Sequence, residues 1–233
     1  MTQLILLPGL ASNAVMWRDQ LAVLPPRWDP HVTSVHSRFA TITEMAAALL
    51  EEHPGELVLC GASMGGIVAM EAARLAPQRL RGLALLGTNA RPETDAMRRL
   101  REEAIGFFKN GRSAEVLRAN LPLAFHADHA RDARLARTYL DFVLAAGDTQ
   151  LINQNRAIMS RPDARTFLPG LRCPLLVLCG DSDQLTPPEC SREIAALVPQ
   201  AELGLIARCG HMLTMEQPAS VNQLLLAWLE TLG

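Results

Sequence analysis

Short apolar runs alternate along the chain with longer segments in which apolar residues recur at helical spacing. Six of these runs are predicted strands: residues 4–7, 32–35, 57–60, 83–86, 175–179 and 203–207. Uninterrupted apolar runs of this length are typical of parallel strands that helices cover on both faces. The pattern therefore predicts an α/β fold with a mostly parallel sheet of about six strands flanked by helices.

Helices are predicted between these strands from apolar spacing and from the signals that end a helix. The first helical face ends at Pro25 and carries four apolar residues: Met16, Trp17, Leu21 and Leu24. Further helices are predicted after Thr43 and over residues 65–75, 188–197 and 221–232.

Residues 91–168 interrupt this alternation, because they show helical periodicity and no convincing strand. They are predicted to form an insertion into a core of residues 1–90 and 169–233. The insertion contains two apolar stripes that are expected to pack on the sheet domain, with pocket lining as the alternative for single residues. The first comprises Met97, Leu100, Ala104 and Phe107, and the second comprises Leu135, Tyr139, Phe142 and Val143.

The most specific motif lies in residues 57–66, which read LVLCGASMGG. An apolar strand, a turn centred on Ser63 and a helical pattern follow one another, which is typical of a nucleophile elbow. Glycines two positions before and after the serine remove Cβ atoms that would collide in so sharp a turn. The positive end of the next helix then faces the reacting carbonyl oxygen. We therefore predict that Ser63 is a nucleophile.

A serine hydroxyl needs a base held in the correct tautomer. His211 follows the last predicted strand, at the edge where the carboxyl ends of strands gather the active site of an open α/β sheet. It is therefore the predicted base. His126 and His129 stand three residues apart, but no carboxylate or cysteine ligand is arranged beside them in the sequence. No metal site is predicted.

The acid that orients the histidine is expected at another strand end. The loop after residues 175–179 reads GDSDQLTPP and offers Asp181 and Asp183. Asp183 is preferred because it lies farther into the loop, where it can reach across to His211. Asp181 and an acid of the insertion such as Asp95 remain alternatives.

Two backbone N–H groups are the expected donors to a tetrahedral oxyanion. Met64 supplies one by its position after Ser63, and Leu10 supplies the other from the loop after the first strand. Four apolar residues are candidates for the substrate pocket, although such residues also serve as core: Trp17, Phe125, Leu185 and Met212.

The charge composition argues against nucleic acid or a membrane as the partner. The chain has 22 basic and 24 acidic residues, and a formal charge of −2 supplies no field for nucleic acid or an anionic membrane. The N-terminal sequence shows no secretory signal and no apolar span is long enough to cross a membrane, so a cytoplasmic location is expected. The partner predicted is a small-molecule ester, acted on by a monomer or homodimer without metal or organic cofactor.

With these residues placed, the chain resembles the α/β-hydrolase superfamily, in particular small bacterial carboxylesterases such as the pimeloyl-carrier-protein methyl ester esterases. The resemblance is carried by four segments in order: LLPGLASNAVMW, CGASMGG, GDSDQLTPP and CGHMLTMEQP. It implies a catalytic triad of Ser63, Asp183 and His211 in the order that this fold uses. It also implies that residues 91–168 form a helical cap and that Glu216 is structural.

The function that follows is hydrolysis of a small or medium apolar carboxylic ester through an acyl-enzyme on Ser63. Two alternatives stay open. The same triad also serves carbon–carbon bond hydrolases and perhydrolases, and a protein of this fold can bind a ligand without turnover.

Overall fold

The computed structural model describes residues 2–233 and contains one sheet of six parallel strands. The strands are β1 (Gln3–Leu7), β2 (His31–Val32), β3 (Leu57–Ala62), β4 (Leu80–Leu86), β5 (Leu175–Gly180) and β6 (Ala201–Ile206). Their order across the sheet is β2-β1-β3-β4-β5-β6, and every neighbouring pair is parallel. The predicted fold class is confirmed.

Helices connect and follow the strands. The α-helices are α1 (Arg18–Leu21), α2 (Val35–Arg38), α3 (Ile42–Glu52), α4 (Met64–Leu75), α5 (Asp95–Lys109), α6 (Ser113–Ala119), α7 (Leu121–Ala124), α8 (Ala133–Ala145), α9 (Gly147–Met159), α10 (Pro188–Leu197), α11 (Leu213–Glu216) and α12 (Pro218–Thr231). Short 3-10 turns occupy Ala14–Trp17, Pro26–Trp28, Pro77–Arg79, His129–Arg131, Ala164–Thr166 and Leu168–Gly170. Among residues 2–233, no helix has the length and apolar character needed to span a bilayer.

The four central strands β1, β3, β4 and β5 are buried on both faces. Successive side chains of a strand point to opposite faces of the sheet. In β1, Leu4 and Leu6 join a core cluster with Trp228 of α12. The alternate residues Ile5 and Leu7 join a second cluster with α3 and α4. A strand covered on both faces cannot alternate apolar and polar residues, which explains the continuous apolar runs in the sequence.

The second strand is shorter than the sequence predicts. It comprises His31 and Val32 alone, and Val35 begins helix α2 instead of ending the strand. The N–H of Thr33 still donates to the carbonyl of Leu6 at 3.1 Å, but the Thr33 hydroxyl then accepts from the N–H of Val35 at 3.3 Å. This local bond turns the chain away from the sheet, so an apolar run at the sheet edge is divided between strand and helix.

Helix α3 begins earlier than its apolar pattern indicates. Thr41, rather than Thr43, is the N-cap, and its hydroxyl accepts from the N–H of Glu44 at 3.1 Å. The carboxylate of Glu44 accepts in return from the N–H of Thr41 at 3.0 Å. This reciprocal capping box satisfies two backbone donors that the helix itself leaves free.

Helices α5 to α9 lie between β4 and β5 in the chain, and α5 packs on α9. The predicted stripe on α5 is wrong at Leu100, which is 65% exposed, whereas Ala104 packs half-buried against the core; the fully buried residues of this helix are Ile105 and Phe108. On α8 the apolar side chains from Tyr139 to Val143 are buried as expected. The assignment of this segment to a separate cap stays a prediction.

Candidate active site

Ser63 occupies a strained turn between β3 and α4. Its φ of 52° and ψ of −117° lie in a region that side chains other than glycine rarely adopt. Two hydrogen bonds to the end of β4 hold the turn: the N–H of Ser63 donates to the carbonyl of Leu86 at 2.9 Å, and the hydroxyl of Thr88 donates to the carbonyl of Ser63 at 2.7 Å. Strain of this kind persists only where the surroundings fix it, and it is common at functional sites.

The two glycines of the motif are required by packing. A Cβ atom on Gly65 would overlap the carbonyl of Leu7 and would lie 2.7 Å from the carbonyl oxygen of Pro8. A Cβ atom on Gly61 would overlap the carbonyl of Gly65. Side chains at either position would therefore push the elbow away from β1 and from the loop that follows β1.

The loop after β1 lies directly against the elbow. A Cβ atom on Gly9 would lie 3.3 Å from the Cβ of Ser63, and Ala11 has a φ of 57°. The N–H of Ala11 donates to the side-chain oxygen of Gln154 in α9 at 2.9 Å. Within residues 2–233, the N–H groups of Leu10 and Met64 have no hydrogen-bond acceptor. These are the two donors that the sequence predicts for an oxyanion.

His211 and Asp183 are in direct contact at the ends of β6 and β5. The ring Nδ1 of His211 lies 2.8 Å from the Oδ2 of Asp183. Asp183 is 3% exposed, and its Oδ1 accepts from the N–H groups of Leu185 and Thr186, each at 2.9 Å. The carboxylate is therefore held rigidly while one of its oxygens faces the imidazole.

Two residues at this pair were not singled out by sequence reasoning. The hydroxyl of Thr186 lies 2.8 Å from the Oδ2 of Asp183 and 3.2 Å from the Nδ1 of His211. Gly87 has a φ of 50°, and a Cβ atom there would lie 3.2 Å from the Oδ2 of Asp183. The only sequence signal for either residue is its place just beyond the carboxyl end of a strand.

The contact between Asp183 and His211 shifts the pKa of both groups. Burial opposes the charged form of Asp183, but His211 and the bonds from Thr186 outweigh it, so the pKa of Asp183 is lowered. Burial likewise opposes the imidazolium form of His211, but the Asp183 carboxylate outweighs it and the pKa of His211 is raised. An ionised carboxylate beside the Nδ1 nitrogen fixes a proton there and leaves Nε2 as the free acceptor.

The alternative acids do not contact the imidazole. Asp181 is exposed, and its carboxylate accepts from the backbone N–H groups of Arg208 and Cys209 at 3.1 and 3.3 Å. Asp95 is exposed in the first turn of α5. Of the three acids considered, the structure brings only Asp183 to His211.

Ser63 and His211 line one cavity of about 250 Å³. In the described chain no hydrogen bond joins the Ser63 hydroxyl to the imidazole, and contacts of this kind are often long without substrate and shorten when it binds. Of the residues predicted to surround the site, Leu10, Leu185 and Met212 line the cavity.

The predicted pocket residues Trp17 and Phe125 need correction. Trp17 is fully buried in the core cluster that contains α12, Phe125 is 1% exposed, and neither is among the residues that line the cavity. Phe125 packs edge to face on Tyr139, with ring centroids 5.2 Å apart, and it is Tyr139 that reaches the cavity wall. Sequence alone did not separate a wall residue from the core residue behind it.

Glu216 ties the histidine loop to the inserted helices. Its buried carboxylate accepts from the N–H of Gly210 at 3.0 Å, from the N–H of His126 at 2.7 Å and from the His129 ring at 3.0 Å. The carbonyl of Ala124 accepts from the N–H of His211 at 3.0 Å. The histidine pair of the insertion thus serves this contact, and the described residues contain no cluster arranged to hold a metal ion.

Replacing Glu216 with alanine is expected to lower the free energy of unfolding by about 2 to 4 kcal/mol. The substitution leaves hydrogen-bond donors in the interior without an acceptor, which costs more free energy than the loss of the bonds themselves. Denaturant unfolding measures the change. Glu189→Ala, which removes an exposed carboxylate on α10, is the control and should stay near wild type. A Glu216→Ala protein as stable as that control would contradict the assignment.

Comparison with known proteins agrees with this architecture. Residues 27–218 match the family described as serine aminopeptidase, S33. The chain is 26% identical over 235 residues to a pimeloyl-[acyl-carrier protein] methyl ester esterase of Salmonella enteritidis, covering 96% of this chain and 92% of that protein. A polyketide synthase of Burkholderia thailandensis, ThaQ, is 27% identical over 98% of this chain, which spans only 12% of the synthase.

A solved structure gives the same result in three dimensions. A thermophilic esterase from Thermogutta terrifontis, solved with malate bound, superposes with a TM-score of 0.90 at 28% identity, covering 100% of this chain and 90% of that one. An enol-lactonase from Burkholderia xenovorans shares the fold with a TM-score of 0.85 at 22% identity, covering 99% and 92%. The chain therefore belongs to the serine aminopeptidase S33 family and is an esterase-like hydrolase of the α/β-hydrolase superfamily.

Proposed function

We propose that the protein is a serine esterase that cleaves small or medium apolar carboxylic esters through an acyl-enzyme on Ser63. The observation that carries the proposal is the 2.8 Å contact between His211 and Asp183 at a cavity that Ser63 also lines. An imidazole anchored through Nδ1 has its other nitrogen available for the serine proton.

In the first half of the reaction, the Ser63 oxygen attacks the ester carbonyl carbon while its proton passes to the Nε2 of His211. The carbonyl oxygen gains the negative charge, and the N–H groups of Leu10 and Met64 stabilise it. Both donors lack an acceptor in the described chain, which supports this role. Preorganised donors of this kind contribute a few kcal/mol each.

The carbonyl then re-forms as the carbon–oxygen bond to the alcohol breaks, and the alcohol leaves with the proton from His211 while the acyl group stays on Ser63. In the second half, water loses a proton to His211 and attacks the acyl carbon. The acid departs as the proton returns to Ser63, which restores the starting state. Asp183 keeps the imidazole oriented and stabilises its charged form in both halves.

The cavity supports an apolar substrate of limited size. Its walls include Leu10, Phe108, Leu185 and Met212. Its volume of about 250 Å³ lies just below the range of roughly 300 to 1,000 Å³ that is usual for small-molecule sites, which limits the size of the substrate. The esterases of Salmonella enteritidis and Thermogutta terrifontis, at 26% and 28% identity over nearly the whole chain, support ester chemistry.

A series of nitrophenyl esters of increasing acyl length tests the proposal. The expected result is hydrolysis of short and medium acyl chains with a decline for long ones, measured as kcat/KM. A ring-cleavage product of the β-diketone type and peroxide with a carboxylic acid are assayed in parallel. If one of these two reactions is catalysed and no ester is hydrolysed, the protein is a carbon–carbon bond hydrolase or a perhydrolase and not an esterase.

The pH dependence of kcat/KM follows from the state of His211. Only the neutral imidazole accepts the serine proton, and Asp183 raises the pKa of His211 above its ordinary value of 6.5. Activity on an uncharged ester is therefore expected to rise with pH through an apparent pKa above 6.5 and then to level off. An acid limb at or below the value of an ordinary histidine would contradict the role of this pair.

A further inference from the structure

One part of the cavity lining is polar and comes from the inserted helices. Arg101 of α5, Asn155 of α9 and Asn120 line the same cavity as Ser63 and His211. The lining also contains apolar side chains of three helices: Ala104 and Phe108 of α5, Leu117 of α6 and Ile158 of α9. A molecule that fills the cavity therefore meets the nucleophile, apolar walls and a guanidinium group.

Arg101 shares its only carboxylate partner in the described residues with a second arginine. The fully buried carboxylate of Glu93 is shared by two arginines, Arg101 at 3.0 Å and Arg161 at the other oxygen. One carboxylate is therefore shared by two guanidinium groups. Arg161 is buried away from the cavity, whereas the Arg101 side chain is 24% exposed and lines it.

Arg101 is held in place before any ligand arrives. Its Nε and Nη2 donate to Glu93 at 3.0 and 3.3 Å, and its Nη1 donates to the side-chain oxygen of Asn155 at 3.0 Å. A guanidinium group has five N–H donors, so two remain for a ligand. The side-chain amide of Asn120 has no partner within residues 2–233. An ordered arginine loses little conformational entropy when it binds, which favours recognition.

We propose that this part of the cavity binds a carboxylate, so that the preferred substrates are esters that carry a negatively charged group remote from the bond that is cleaved. The inference rests on the proposed esterase function and adds the substrate class. Charge-assisted hydrogen bonds from arginine to carboxylate are about twice as strong as neutral ones. The apolar side chains of the same cavity then accommodate the chain that joins the charge to the ester.

Matched pairs of esters test the subsite. Monomethyl esters of dicarboxylic acids are compared with methyl esters of monocarboxylic acids of equal chain length, at neutral pH. The wild-type protein is expected to favour the charged member of one pair by about tenfold or more in kcat/KM. Acetoxy carboxylates, compared with uncharged acetate esters of the same size, place the charge on the alcohol instead. The set that shows the preference identifies which half of the ester carries the charge.

Arg101→Gln is expected to abolish this preference, with the loss appearing in the KM of the charged ester. Glu93 keeps Arg161 as its partner in this variant, so no unpaired carboxylate is left. Arg99→Gln removes an exposed arginine from the same helix and should keep the wild-type ratio. If Arg101→Gln does not fold, competitive inhibition of the wild-type protein replaces it, and a dicarboxylate should bind about tenfold more tightly than a monocarboxylate of equal length.

The outcomes separate the two proposals. Hydrolysis of the neutral esters with no preference for a charged partner in either set would overturn the subsite and leave the esterase function standing. Failure to hydrolyse any ester would overturn both. A preference that Arg101→Gln retains would overturn the assignment to Arg101.

Discussion

Replacing Ser63 with alanine is expected to reduce the rate of ester hydrolysis by on the order of 10⁴- to 10⁶-fold, because the acyl-enzyme can no longer form. The fold should survive, since the backbone bonds from Ser63 to β4 do not involve the hydroxyl. Steady-state kinetics measures the rate, and thermal unfolding checks the fold.

Ser113→Ala, at the start of α6, removes a hydroxyl away from the cavity and is the matched control. It should retain wild-type kinetics. A Ser63→Ala protein that hydrolyses esters within tenfold of this control would show that another group is the nucleophile.

Replacing Asp183 with asparagine is expected to lower kcat on the order of 10⁴-fold, since the imidazole loses both its orientation and the charge that stabilises its protonated form. The amide is nearly the same size as the carboxylate and can keep the bonds from Leu185 and Thr186 on one oxygen. The acid limb of kcat/KM should also move to lower pH, because the carboxylate no longer raises the pKa of His211.

Asp181→Asn is the matched comparison, because Asp181 lies two residues away in the same loop and binds backbone N–H groups instead of the imidazole. Its effect is expected to stay within about tenfold. Near-normal activity in Asp183→Asn together with an inactive Asp181→Asn would reverse the assignment of the acid.

The central strands of the sheet could be predicted because their burial is visible in the local sequence of each strand. A strand covered on both faces must be apolar at every position, and the runs that became β1, β3, β4 and β5 have this property. The edge strand β2 was predicted too long, since its apolar run also supplies Val35 to α2. Strand β2 ends where the hydroxyl of Thr33 accepts a hydrogen bond from the N–H of Val35, and the apolar pattern does not predict this bond.

The predicted site residues share a place in the topology. Ser63, Asp183 and His211 each follow the carboxyl end of a strand, and parallel strands bring these ends to one edge. Thr186 and Gly87 lie at the same edge, but a threonine or glycine in such a loop has many ordinary uses. Their roles emerged only from distances to the carboxylate of Asp183.

Residues of the cavity wall were the least predictable. Trp17 and Phe125 are apolar, as the lining of a pocket for an apolar substrate would be, but both are buried in the core and neither lines the cavity. Arg101 lines the cavity although its helix is mainly polar, because α5 turns a face to α9 that its apolar spacing did not indicate. Which side of a helix faces a cavity is decided by packing between elements far apart in sequence.

The central claim is that Ser63, His211 and Asp183 act together as an activated nucleophile, and covalent labelling tests it most directly. A fluorophosphonate is mixed with the folded protein, and the product is analysed by intact mass and by peptide mapping. We expect one equivalent of label on Ser63 and none in Ser63→Ala. Folded protein that stays unlabelled, or that carries the label on another residue, would contradict the account.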